Sequence, residues 1–357
     1  MISIWVSTDQ SLTIEKAAGL LFGLAVWRWI TLHVRNAAGQ MLLILGLLII
    51  GSGFIGIGFL SVDWFDKVPA LTSVVNLFPQ QIISFTAIGS GQGVQPNQLA
   101  GILLWLFPFT VALSISQYIV QNRIYGIGTA IIAFVFLNIL ILSQSRGGWL
   151  GGMVAVCAMI WLSAFIVPVT SWYAKFRLLW PIIITSALLI IIFSIGPSAL
   201  YNVWIDPPEQ TAVGDLGTIS FRQEVWRWAL IAIHDFPITG TGLGSFRAVA
   251  HRIYPIGIPL NYDIAHAHNV FLQVALDLGL LGLIFYLGTI YIYFWMGWRI
   301  IQNGTNISVK LIVIGLMASQ FGFHFYGLVD AIALGAKPSF LFWIQIGLMG
   351  TIWRTEL

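Results

Sequence analysis

The sequence predicts an all-α, polytopic bundle of membrane-crossing helices, and two observations predict it. Apolar residues fill 58% of the 357 positions and charged residues only 8%, against roughly 25% charged in an ordinary soluble domain. Apolar segments close to the ~20 residues that span a bilayer also recur along the chain. The candidate spans are 17–34, 40–60, 98–117, 124–142, 147–168, 178–197, 269–298, 311–329 and 339–353. The first carries Arg28, which weakens it as a span. The segment 269–298 exceeds a perpendicular crossing and is expected to tilt or to project beyond the membrane. Glycines alternating with large apolar residues from Gly51 to Gly58 predict close helix packing.

The organisation that follows has three parts: transmembrane helices in 1–197, a long polar loop in 198–267, and transmembrane helices again in 268–357. Arg123, Lys175 with Arg177, Arg299 with Lys310, and Arg354 fall in connections that alternate onto one side, which the positive-inside rule makes cytoplasmic. The opposite, extracytoplasmic face then receives 61–97, the turn Ser143–Arg146 and the whole of 198–268. By the same count the chain begins outside, without a basic leader, so a cleaved signal peptide is not expected. The net charge of +3 is spread over connections rather than gathered into a basic run, which argues against nucleic-acid binding. Cys157 is the only cysteine. It excludes an intramolecular disulfide, and no Cys/His cluster has zinc-like spacing, so neither metal nor cofactor is expected.

The loop 198–267 holds ten of the 29 charged side chains. A loop of this length is functional or disordered, and Trp204, Phe221, Trp226, Trp228 and Phe246 supply the apolar surface that disordered segments lack. Ser220 followed by Gln223 resembles a capping box, predicting a helix that runs to about Asp235 and stops before Pro237. Its tryptophans suit the headgroup level. Within it Glu224 and Arg227 share a face and can pair. Arg222 has only Ile219, Thr218, Val225 and Trp226 as helical neighbours, so its acceptor is a lipid phosphate, a distant carboxylate or a substrate anion. Gly240–Gly244 fits no nucleotide-binding pattern and reads as a tight turn.

The sequence Ala-His268-Asn269-Val-Phe-Leu-Gln273 places an imidazole where the polar loop gives way to an apolar helix. Imidazole ordinarily titrates near ~6.5, so a histidine there is either a general base or a helix cap. His266 is the alternative base. Asp277 lies about 13 Å further along the helix; an intramembrane carboxylate is a functional group or one half of a structural pair. Arg146 stands at the outer mouth of a membrane helix, beside Gly147 and Gly148. It is a snorkelling arginine or, with Arg222, half of a cationic clamp for a pyrophosphate. Arg247, Arg252, His251 and His234 read as ordinary loop residues.

On these residues the chain resembles the O-antigen ligase and polymerase superfamily. The resemblance rests on Gln95-Pro96-Asn97-Gln98-Leu99-Ala100, Ser145-Arg146-Gly147-Gly148-Trp149-Leu150, Arg222 in the loop helix, Asp235-Phe236-Pro237 through Gly240, Gly242 and Gly244, and His268-Asn269 followed by Gly279 and Gly282. It implies a C-type glycosyltransferase fold in the bacterial inner membrane, with its active face extracytoplasmic. It implies transfer of a glycan from a polyprenyl (undecaprenyl) pyrophosphate carrier to a hydroxyl of a glycan, lipid or protein acceptor, without a metal. Arg146 and Arg222 would hold the pyrophosphate, His268 would activate the hydroxyl, and Asn269, His266 and Asp277 would support them. Single displacement would invert the anomeric carbon. Members usually carry further spans upstream, and Ile4-Trp5-Val6-Ser7-Thr8-Asp9 reads as an internal connection, so the first helices are expected to be missing. The competing classes are a transporter of a small anion such as bicarbonate, which should place ionisable groups near mid-membrane, and a non-catalytic envelope scaffold.

Overall fold

A computed structural model describes residues 2–61, 95–166, 219–258 and 264–357. Among them all regular structure is helical: α1 (Ile2–Trp5), α2 (Gln10–His33), α3 (Ala37–Ser61), α4 (Pro96–Ile119), α5 (Arg123–Leu142), α6 (Arg146–Ser163), α7 (Ile219–Asp235), α8 (Phe246–Ile253), α9 (Val270–Asn303), α10 (Ile307–Tyr326), a short 3-10 turn at Lys337–Ser339, and α11 (Phe340–Glu356). Six of these, α3, α4, α5, α6, α9 and α10, are long and apolar enough to cross a membrane. The chain is an all-α, multi-pass membrane protein. The expected span at 178–197 and Trp204 lie outside the described residues. The described residues divide into two compact units, one within Met1–Trp29, Ile190–Tyr293 and Gly327–Ile344, the other within Ile30–Leu189, Phe294–Tyr326 and Gln345–Leu357.

The second unit is a membrane bundle built around α4, whose residues from Leu99 to Thr110 are all buried. Small residues let its helices touch. A Cβ at Gly151 of α6 would stand 2.7 Å from the Gly322 carbonyl oxygen of α10, and one at Gly315 would stand 2.4 Å from Ala112 of α4. Pro108 has no amide hydrogen, and the next amide, Phe109, donates to Ser319 Oγ at 3.1 Å. Among the described residues, Gly51 of α3 meets Leu106, and nothing lies within 4 Å of a Cβ built at Gly53 or Gly56. Glycine frequency alone does not report packing in a membrane helix.

The first unit carries the polar loop. Along α7, Phe221, Val225, Trp228, Ala229 and Ala232 recur at helical spacing and form a core with Phe246, Val249 and Ala250 of α8 and with Tyr254, Ile264, Ala267 and Leu276. Within the described residues the helix runs from Ile219 to Asp235, the end that the sequence predicts. Glu224 accepts from Trp228 Nε1 at 2.7 Å and from the Gly257 amide at 3.1 Å, while Arg227 lies over the Trp228 ring. These contacts, with burial opposing them and Arg227 adding a smaller share, hold the Glu224 carboxyl below its ordinary range.

The expected continuous span 269–298 is instead interrupted at Gly279, which has φ 73° and ψ −179°. Helical bonding would pair the Leu280 amide with the Leu276 carbonyl. Here the Leu280 amide donates to Pro237 O and the Thr241 amide takes Leu276 O, each at 2.7 Å. The turn Gly240–Gly244, with φ of 64°, 100° and 70° at its three glycines, thus docks its backbone into the broken helix. A Cβ at Gly279 would lie 2.1 Å from Ile238 O, so no other residue fits this junction.

Candidate functional site

The site is built where the start of α9 meets the segment following α10. Asn269 caps α9: its Oδ1 accepts from the amides of Phe271 and Leu272, each at 3.0 Å. The cap is therefore Asn269, and His268 stands just outside the helix. Four successive residues, Gly327 to Asp330, then each offer an oxygen to the histidine region. The Val270 amide donates to Gly327 O at 2.7 Å, Asn269 Nδ2 to Leu328 O at 3.1 Å and Arg222 Nε to Val329 O at 2.7 Å. Asp330 Oδ1 lies 3.5 Å from His268 Nδ1 and 3.6 Å from His266 Nε2.

His268 adopts φ 46°, a left-handed conformation that costs a non-glycine residue about 1 kcal/mol or more. Its backbone is held at both ends. The amide donates to His266 Nδ1 at 3.2 Å, and the carbonyl accepts from Trp226 Nε1 at 3.2 Å. Its ring meets Phe221 edge-on at 5.6 Å and lies 4.3 Å from the His266 ring. The 3.5 Å separation from Asp330 is at the limit of a hydrogen bond, and the buried Nδ1 has that carboxylate as its facing charge.

Burial keeps His266 neutral, with the neighbouring His268 ring adding to the effect and Asp330 opposing it, so its pKa falls to about 3. Burial alone would raise Asp330, but its contact with the His268 and His266 rings and the Arg222 guanidinium outweighs it and holds the carboxyl well below the ordinary range. Asp330 is thus a buried carboxylate, 4% exposed at its side chain. A negative charge there favours a proton on His268 Nδ1 and leaves Nε2 with the lone pair.

His266, His268 and Asp330 offer one ligand atom each, all within 4.8 Å of one another, and by composition could hold a metal. The tautomer of His266 opposes this. Its Nδ1 already accepts the His268 amide proton, so the neutral ring carries its own proton on Nε2, the atom facing Asp330. A metal at Nε2 would have to displace that proton and break the bond that holds His268.

The structure brings His268, His266, Asn269 and Arg222 together. Asp277 joins them indirectly, accepting from Gln273 Nε2 and the Gly244 amide, each at 2.9 Å. Arg146 belongs to the other unit, where it opens α6 behind the cap Ser145, whose side chain accepts from the Gly148 amide. Sequence reasoning missed Asp330, which the boundary at 329 left just outside the last outer span end. The signal was present: it is the one carboxylate between that span and the next.

Residues 131–287 match the family model described as O-antigen ligase. This segment is similar to an O-antigen ligase domain. A comparison with curated proteins found no match. The matched segment contains Arg146, Arg222, His266, His268, Asn269 and Asp277, while Asp330 lies beyond it. An O-antigen ligase domain implies glycosyl transfer from a polyprenyl-linked donor in a membrane setting, and it does not favour the anion-transporter class.

Proposed function

We propose that this protein transfers a glycan from a polyprenyl pyrophosphate carrier to an acceptor hydroxyl at the outer face of the bacterial inner membrane, with His268 as general base. The observation that carries this reading is the buried Asp330 carboxylate facing His268 Nδ1. It fixes the proton on Nδ1 so that Nε2 can take the acceptor proton, and it stabilises the imidazolium that results. The acceptor oxygen bonds to the anomeric carbon as the bond from that carbon to the pyrophosphate oxygen breaks. The carrier pyrophosphate leaves with the electron pair, and the anomeric carbon inverts. Arg222, held through Nε by the Val329 carbonyl, supplies its guanidinium charge to the departing pyrophosphate. The step is assigned to these side chains without a metal, on the tautomer of His266.

The test is to measure donor binding and transfer side by side in proteoliposomes. His268→Ala should bind the polyprenyl-linked donor and lose transfer by roughly 10²- to 10⁴-fold, the contribution of a positioned base. Near-normal turnover would remove His268 as the base.

A further inference from the structure

Between the glycine turn and His268 runs a buried polar line that the chemistry above does not use. Ala267, fully buried, donates its amide to Gln273 Oε1 at 2.7 Å. Gln273 Nε2 donates to Asp277 Oδ1, which also accepts the Gly244 amide, each at 2.9 Å. Gln273 and Asp277 are 2% and 3% exposed. They sit four residues apart on the first segment of α9, so their side chains stack along one face. Ser3 completes the line, donating to Asp277 O at 2.7 Å and accepting the Leu243 amide at 2.8 Å. Each bond is directional. The Ala267 amide needs an acceptor, Asp277 Oδ1 is engaged by two donors, and the Gln273 amide is the group that satisfies both at once.

Ala267 precedes the one residue of this site in a strained backbone conformation. The Ala267 and His268 amides hold the two successive peptides that lead into His268. We propose that Gln273, braced by Asp277, is the positioning residue that holds the Ala267–His268 backbone in its left-handed turn and so directs His268 at the acceptor. This rests on the assignment of His268 as base. The brace ends on the glycine turn at Gly244, so the turn and the catalytic histidine are carried by one carboxylate.

The test uses the full-length protein in proteoliposomes and reads transfer rate, donor KM and amide hydrogen exchange over residues 264–270. Gln273→Leu should lower kcat roughly 10- to 100-fold, the cost of a small misplacement of a reacting group, with donor KM within about twofold and faster exchange at Ala267. Gln273→Glu by itself should also fail, since it sets a second carboxylate against Asp277. Adding Asp277→Asn to Gln273→Glu should restore part of the lost kcat, because the carboxamide nitrogen at position 277 can then donate to the new carboxylate, which keeps the Ala267 amide. Recovery stays partial, because Gly244 shares the single oxygen Asp277 Oδ1 with Gln273 and loses its acceptor when a nitrogen takes that place. Should Gln273→Leu fold poorly, the gain of the double variant over Gln273→Glu still decides the matter. A wild-type kcat in Gln273→Leu, unchanged exchange at Ala267, or no gain of the double variant over Gln273→Glu overturns the proposal. The exchange measurement does not depend on transfer, so it separates failure of the brace from failure of the base, which His268→Ala reports.

Discussion

Replacing Asp330 by asparagine removes one charge at nearly constant shape and should separate catalysis from binding. The carboxylate lies 3.5 Å from His268 Nδ1. At that distance a unit charge pair is worth about 5 kcal/mol at an effective dielectric constant of ~20 and about 1 kcal/mol in bulk water. The site is largely buried but open enough for His268 to be 16% exposed at its side chain, so the value lies between these limits. The imidazolium exists only after proton transfer, so the interaction belongs to the transition state rather than to the bound donor. A carboxamide at this position can also orient either ring tautomer, which adds to the loss. Asp330→Asn should therefore lower kcat by roughly 10²- to 10³-fold, with donor binding within about threefold. The assay is single-turnover transfer from a defined polyprenyl-pyrophosphate glycan, with donor affinity measured separately. A variant that loses donor affinity and rate in parallel would make Asp330 an anchor for Arg222, and one that keeps the wild-type rate would remove it from the mechanism.

Further expectations follow from the same contacts. Arg222→Lys keeps a cation but loses both the Nε bond to Val329 O and the planar fork; donor affinity should fall at equal protein level, and unchanged affinity would return Arg222 to a structural role. Gly279→Ala should lower folded yield and melting temperature, since its Cβ meets Ile238 O and its φ of 73° disfavours a side chain; a wild-type melting temperature would refute the docking of the turn. His266 binds a proton near the ordinary histidine value when unfolded but only near about 3 when folded. The unfolded state thus takes up more protons between these values, and stability should be complete above pH ~6.5 and fall by up to about 1.4 kcal/mol per pH unit below it. His266→Asn should flatten that slope in thermal melts. Transfer should survive a strong chelator, and a chelator-sensitive rate restored by zinc would instead make the histidine cluster a metal site.

The helices of the described residues were legible because a membrane-crossing helix must be apolar over its whole length, and α3 to α6, α9 and α10 all follow that rule. The break in α9 was not, because Leu-Gly-Leu-Leu-Gly is as apolar as the rest of the helix and glycine is ordinary in such segments. What breaks the helix is the turn Gly240–Gly244, some 35 residues earlier, competing for the Leu276 carbonyl. Arg222, His268 and Asn269 could be singled out by their local chemistry. Asp330 could not be connected to them, since its partners are 62 and 64 residues away and the bonds from Val270, Asn269 and Arg222 to Gly327, Leu328 and Val329 carry it there.

That arrangement makes a scan across Leu328, Val329 and Asp330 unusually discriminating. Leu328 and Val329 hold Asn269 and Arg222 through their carbonyl oxygens, and alanine substitution leaves a backbone carbonyl in place. Leu328 is also 44% exposed, so shortening it leaves no cavity in the core. Of the three, Asp330 is the one that presents its side chain to the histidines. If the segment works by presenting backbone acceptors and one carboxylate, Leu328→Ala and Val329→Ala should transfer glycan within about threefold of wild type, while Asp330→Ala should be at least as impaired as Asp330→Asn. If the segment mattered only as packing for α9, the order would follow the apolar volume removed, and Leu328→Ala and Val329→Ala would lose as much activity as Asp330→Ala. Equal impairment across the three positions would therefore withdraw Asp330 from the catalytic site.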